Sequence, residues 1–143
     1  MAETQSRTLS HQTIEVDWVG GEQFDAHRPG GPPIRLDADA SSGPSPFDGL
    51  LAALAACAAT DVVSILQKQR TPVTALRVAV EAQRVDAIPK RLASAVLHFW
   101  ITAPGATPEK AARAVELSVT KYCSVRSSLI ADAPVTWTVE LSA

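Results

Sequence analysis

The sequence predicts an α+β fold, and three observations carry that prediction. The stretch from Pro46 to Gln67 reads as one long helix that has no charge between Gly49 and Thr60. Two long runs, Val73 to Val85 and Leu92 to Thr102, alternate in the manner of paired strands. The overall order is strands, long helix, two strands, two helices and one strand. Regular strand–helix alternation, the mark of a parallel sheet, is missing from it.

At 143 residues the chain is expected to be a single domain spanning 1–143 with a real core, its first eleven residues a disordered polar tail. Hydrophobic residues make up 46% and charged ones 20%, an ordinary globular balance. A net charge of -2 gives no electrostatic reason to expect nucleic acid or an anionic membrane as partner. Residues 1–7 carry no apolar signal core, so a cytoplasmic location is expected. Two cysteines are too few for a disulfide scaffold or a thiolate zinc site. They are either inert core residues or a redox pair, and composition does not choose between these.

Thr13 to Val19 alternates, with Ile14, Val16 and Trp18 on the face of a half-buried strand. Gly20-Gly21 is a turn signal, followed by a short strand through Gln23 to Ala26. The turn Pro29 to Pro33 leads into a third strand, Ile34 to Leu36, and Asp37 to Pro46 is a polar loop. Ser45 is the natural N-cap of the long helix, Pro46 suits its first position and Asp48 places negative charge in the first turn. Gln67 to Arg70 supplies cations at its end, and Pro72 stops it.

An uncharged helix must be covered on all sides. At about 20 residues it is also long enough to span a bilayer, but the bracketing Asp48 and Asp61 and the high alanine content favour a buried core helix. A small antiparallel sheet covers one side only. A second copy of the chain is the simplest cover for the other, so a homodimer with central long helices is expected. Further on, Asp86 to Arg91 joins the two alternating runs as a hairpin. Thr107-Pro108 opens a second helix with Ala111, Ala112, Val115, Leu117 and Val119 as its apolar face. Tyr122 to Ile130 reads as a short third helix, and Val135 to Leu141 closes the chain as a strand.

Taken alone, Cys57 in an alanine-rich helix is most simply inert packing. Cys123 lies near the start of a short helix beside Lys121 and Arg126, where dipole and cations are expected to lower its pKa. Two thiols permit a specific chemistry: one is oxidised by a peroxide to a sulfenic acid, and the second condenses with it to a disulfide. Asp48 precedes Cys57 by about two and a half helical turns, and that spacing does not by itself place the carboxylate beside the thiol.

The pattern Ser45-Pro46-x-Asp48-x-Leu50-Leu51-Ala52-Ala53-Leu54-x-x-Cys57-x-x-x-Asp61-Val62-Val63-Ser64-Ile65-Leu66, with Lys121-Tyr122-Cys123-Ser124-Val125 downstream, resembles the OsmC/Ohr family of osmotically induced and organic hydroperoxide resistance proteins. The resemblance runs from about Trp18 to Leu141 and looks most like an OsmC-like branch apart from the best-studied peroxidases. It implies an intertwined α+β homodimer, with antiparallel sheets around two central buried helices and active sites at the dimer interface. It also implies thiol-dependent reduction of organic hydroperoxides, with Cys57 as the peroxidatic cysteine and Cys123 as the resolving one. Asp48 stands where many relatives have Glu. Glu22 falls where the hydroperoxide-resistance branch has a thiolate-stabilising Arg, and Arg35, on the following strand, is the candidate replacement. The resemblance implies no bound cofactor or metal; regeneration needs an external dithiol, of which dihydrolipoyl groups are the family's example.

Two other readings stand beside this one. Glu22 in place of arginine favours a binding module that holds a small apolar ligand, with redox-sensing or vestigial cysteines. A structural dimer with packing thiols is the third. His98 is read as a sheet-face or core residue; His11 and His27 have no metal-ligand spacing to either cysteine. Trp18, Trp100 and Trp137 are read as core or dimer aromatics, with Trp100 or Phe47 at the mouth of a pocket.

Overall fold

The computed structural model describes residues 8–142, so the first seven residues of the expected tail lie outside it. Residues 8–14 carry no helix or strand. The chain forms two compact units, one through Gly49 and one from Leu50 onward.

The first unit is a three-stranded antiparallel sheet in the order β1 (Glu15–Gly20), β2 (Gln23–His27), β3 (Ile34–Asp37). Trp18 faces Phe24, and Asp25 faces Arg35 across the ladder. The β1–β2 turn falls on Gly21 and Glu22, one residue beyond the glycine pair, after an irregularity between Trp18 and Gly20. Both Gly20 and Gly21 have positive φ (124° and 54°), which side-chain-bearing residues adopt at a cost. The predicted half-burial of Ile14, Val16 and Trp18 is not observed: all three are exposed, Trp18 at 67%. Alternation marks a face as apolar but does not say whether that face is covered.

Asp37 is the buried anchor of the following loop. Its carboxylate accepts from the backbone N–H groups of Asp39 and Ser42 and the hydroxyls of Ser41 and Ser42, at 2.9–3.0 Å. Those bonds, the Ser42 and Asp39 amides foremost, hold its pKa far below the usual carboxylate range. The loop thereby delivers Ser45 to the start of α1 (Pro46–Lys68). Ser45 Oγ accepts from the Asp48 N–H at 3.1 Å, and Asp48 Oδ2 accepts from the Ser45 N–H at 3.0 Å, a reciprocal capping box.

The second unit contains the rest of α1 and a three-stranded sheet in the order β4 (Ala75–Arg84), β5 (Leu92–Thr102), β6 (Val135–Ser142). β4 and β5 pair antiparallel, as the hairpin reading expects, whereas β5 and β6 run parallel. The sheet is therefore mixed where antiparallel pairing is expected. The intervening helices form a long crossover, which returns the chain to the same end of the sheet. On β5 the side chains of Leu97, Phe99 and Ile101 are fully buried on one face. On the other, His98 Nδ1 lies 2.8 Å from Thr138 Oγ1 and its Nε2 is 3.3 Å from Glu81, and Trp100 lies under Arg77. His98 is thus a sheet-face residue.

Among the described residues α1 is not wrapped on all sides. Leu54, Ala58, Val62 and Leu66 are fully buried, one residue per turn, while Ala52, Ala53, Ala56 and Val63 are exposed. α1 is long and apolar enough to cross a membrane by length and composition, and Leu54, Ala58, Val62 and Leu66 form its buried stripe.

α2 (Pro108–Leu117) begins as its sequence dictates, with Thr107 Oγ1 accepting from the Lys110 N–H at 3.2 Å. Ala111, Ala114 and Val115 form its buried face, whereas Ala112 is exposed. The third helix, expected over Tyr122 to Ile130, is present in shorter form. A single π turn, Ser118–Tyr122, continues α2; Cys123 is extended; and α3 (Ser124–Ser128) follows.

Candidate functional site

The site is built where the π turn meets α1, inside the second unit. Ser118, fully buried, donates its hydroxyl to the carbonyl of Ala58 at 2.7 Å. That bond ties the segment carrying Cys123 to the residue next to Cys57. The π turn then closes through the Cys123 N–H, which donates to Ser118 O at 2.7 Å. Cys123 leaves the turn with extended backbone and becomes the N-cap of α3, its sulfur accepting from the Arg126 N–H at 3.4 Å. A cysteine thus fills a position that serine or aspartate usually holds. Its thiol lies 4.0 Å from Leu54 O.

The consequence is that two residues widely separated in sequence become neighbours. Cys57 Sγ lies 3.6 Å from Ser124 Oγ, and the two thiols are within interaction distance of each other; both are free. Cys57 is half-buried and Cys123 is buried. Burial works to raise the Cys57 pKa. The Val125 N–H, the Ser124 hydroxyl, the Cys123 thiol and the Ser124 N–H all favour its thiolate, and together they hold the pKa below the ordinary cysteine value. Cys123 moves the other way. Burial raises it first; the Arg126 N–H counteracts this, and the neighbouring Cys57 raises it further.

This reverses part of the sequence reading. The start of a short helix and the nearby cations are expected to lower the Cys123 pKa, whereas its burial and the neighbouring Cys57 raise it. The amides of α3 instead stabilise Cys57, because Cys123 sits at the cap position and the amides that follow it face α1. Ser124 and Ser118 have no separate signal in the sequence reading, although Ser124 lies in the quoted downstream motif. Their partners come from the long helix, and no local spacing announces them.

The other two candidates belong to the first unit. Arg35 pairs with Asp25 through Nε and donates to Gln23 Oε1 at 3.1 Å. The Arg35 guanidinium keeps Asp25 below the usual carboxylate range, and Asp25 in turn raises Arg35. Asp48 takes part in the capping box described above. The pair that the second unit brings together is Cys57 with Cys123. A cavity of about 350 Å³ opens beside Cys123, with Trp137 in its wall; Trp100 is not part of its lining.

Comparison with known proteins agrees with this architecture. Residues 38–139 match the family described as OsmC-like protein. Protein YhfA of Escherichia coli is 39% identical over 111 residues, covering 77% of this chain and 83% of the relative. An OsmC-like protein from Mycoplasma pneumoniae superposes with a TM-score of 0.80 at 18% identity, covering 94% of this chain and 99% of that one. An organic hydroperoxide resistance protein OsmC from Legionella pneumophila gives a TM-score of 0.67 at 17% identity, with 94% and 99% coverage. The latter two identities speak to fold alone; the family match and the YhfA identity carry membership. The chain belongs to the OsmC-like family.

Proposed function

We propose that the protein is a thiol-dependent peroxidase that reduces organic hydroperoxides. The observation that supports it best is the opposed tuning of two adjacent thiols, Cys57 lowered and Cys123 raised. A nucleophile must be a thiolate at working pH, while its resolving partner remains a protonated thiol until needed.

In the proposed cycle the Cys57 thiolate attacks one peroxide oxygen. The S–O bond forms as the O–O bond breaks, and the alkoxide leaves as an alcohol after taking a proton. Cys57 is then a sulfenic acid. Cys123 condenses with it, a disulfide forms and water departs. An external dithiol restores both thiols, and the protein needs no bound cofactor or metal for any of these steps. Arg35 and Asp48 are assigned to positioning the thiolate; the family resemblance supports that assignment.

The protein acts as a cytoplasmic homodimer in this reading. The exposed alanine face of α1 and the exposed Val16 and Trp18 of β1 are the surfaces a second copy covers.

The test is thiol loss after stoichiometric cumene hydroperoxide, compared with hydrogen peroxide, in the wild type and Cys57→Ser. Rapid disulfide formation that prefers the organic peroxide and disappears without Cys57 is the expected result. Slow, unselective oxidation in both proteins rejects the peroxidase. It would favour the redox-sensing binding module instead, a reading that Glu22 at the β1–β2 turn supports.

A further inference from the structure

Asp61 belongs to the α1 pattern, yet the proposed cycle leaves it unused. It shares one face of α1 with Ser64, Ile65 and Lys68, which follow it at helical spacing. With Leu117 at the end of α2 and Tyr122 at the end of the π turn, these side chains line a cavity of about 380 Å³ within the second unit. That volume lies in the range of small-molecule sites. Neither Cys57 nor Cys123 is in its wall.

The two charges of this cavity are unmatched. The Asp61 side chain forms no hydrogen bond or ion pair among the described residues, and its Oδ2 is buried without a partner. Lys68 likewise has no ion pair among the described residues. The two do not pair with each other, since seven residues separate their backbones by about 10 Å along the helix axis. The cavity thus has a negative end and a positive end. Ser64 and Ile65 lie between them on the helix, and Leu117 and Tyr122 add apolar surface. The Tyr122 ring already has the Lys121 ammonium over it at 5.3 Å, so it serves as apolar wall and not as a seat for a second cation. A buried, unpaired carboxylate oxygen costs stability, and positive charge brought to Asp61 offsets that cost. A simple cation meets repulsion from Lys68, and a simple anion meets it from Asp61. A molecule carrying both charges satisfies both ends.

We propose that this cavity binds a small zwitterion, with its ammonium at Asp61, its anionic group at Lys68 and a short apolar stretch between. The binding is non-covalent and involves neither thiol. The proposal therefore goes beyond the peroxidase reading and does not depend on it.

The test is calorimetric titration of the reduced protein with ε-aminocaproate, and with hexylamine and hexanoate, which each lack one of its charges. The expected result is saturable binding of ε-aminocaproate, about tenfold tighter than either one-ended compound. Asp61→Asn brings its affinity down to that of hexanoate, and Lys68→Gln brings it down to that of hexylamine. Lys68→Glu transfers the preference to hexamethylenediamine, a change of ligand choice that loss of packing would not produce. Absent or unsaturable binding, equal affinities for the three compounds, a preference that survives either neutral variant, or Lys68→Glu still favouring ε-aminocaproate overturns the proposal. Lys68 is exposed, so its two variants decide the matter if Asp61→Asn fails to fold. No peroxide is present, so failure of the peroxidase reading leaves this result standing, and the converse also holds.

Discussion

Ser118→Ala probes the joint on which the site depends. The substitution removes one hydroxyl from a fully buried position and leaves the Ala58 carbonyl without the bond that ties it to the π turn. A typical intramolecular hydrogen bond contributes about 0.5–1.5 kcal/mol net, and an acceptor left dry costs more. The Ala58 carbonyl lies within α1, so its loss is partial; a total of about 1–2 kcal/mol follows. With an unfolding entropy of about 2.1 cal/mol/K per residue, a chain of this size has roughly 0.3 kcal/mol/K in all, so Tm falls by about 3–7 °C. The effect on chemistry is separate. Cys123 loses its fixed distance to Cys57, so disulfide formation with diamide slows by more than alkylation of Cys57 does. Thermal unfolding at one fixed protein concentration, alongside diamide oxidation and alkylation rates, measures all three. A variant within 0.5 °C of wild type with unchanged oxidation would falsify the claim that this bond positions the pair.

Three further predictions use other features. Iodoacetamide should modify Cys57 with a pH midpoint below that of an ordinary thiol (about 8.5), and Cys123 more slowly and with a higher midpoint, when each is followed in the serine variant of the other. Identical midpoints would remove the basis for assigning them different roles. Asp37 has a folded-state pKa below its unfolded value of about 3.9, so the stability it contributes is present above that value and is lost as pH falls toward the folded one. Tm measured from neutral pH downward should therefore show wild type ahead of Asp37→Asn at pH 7, with the gap closing below about pH 4; a constant gap contradicts the linkage. Asp61 Oδ2 is buried with no hydrogen-bond partner among the described residues, in the middle of α1. Asp61→Ala removes that penalty and improves helix propensity, so it should raise stability by about 1 kcal/mol; a loss in chemical denaturation means the carboxylate has a partner in the assembled protein.

The elements were largely legible where their causes are local. Ser45 and Asp48 cap each other because a hydroxyl and a carboxylate three residues apart can reach each other's N–H groups. Thr107-Pro108 starts α2 for the same kind of reason, and the β5 alternation sorts Leu97, Phe99 and Ile101 from His98 and Trp100. Illegible features have distant causes. No pattern marks Ser118–Tyr122 as a π turn, since its shape is coupled to a bond from Ser118 to Ala58. Alternation in β1 gives a face but not what lies against it, so Trp18 reads as half-buried and is exposed. The two cysteines were legible as candidates, but which of them is activated depends on which residue caps α3. The cap is Cys123, and the local expectation that Lys121, Arg126 and the helix start lower its pKa fails, whereas the family resemblance singles out Cys57.

That cap has another consequence. In the thiol form Cys123 Sγ holds the Arg126 N–H at 3.4 Å and thereby secures the first turn of α3. In the disulfide of the proposed cycle the lone pairs of Cys123 Sγ turn with the bond to Cys57, and the Arg126 N–H is expected to lose this acceptor. Hydrogen exchange at the Arg126 amide should be slow in the dithiol form and fast in the disulfide, making a backbone proton a built-in gauge of how much of the protein awaits reduction.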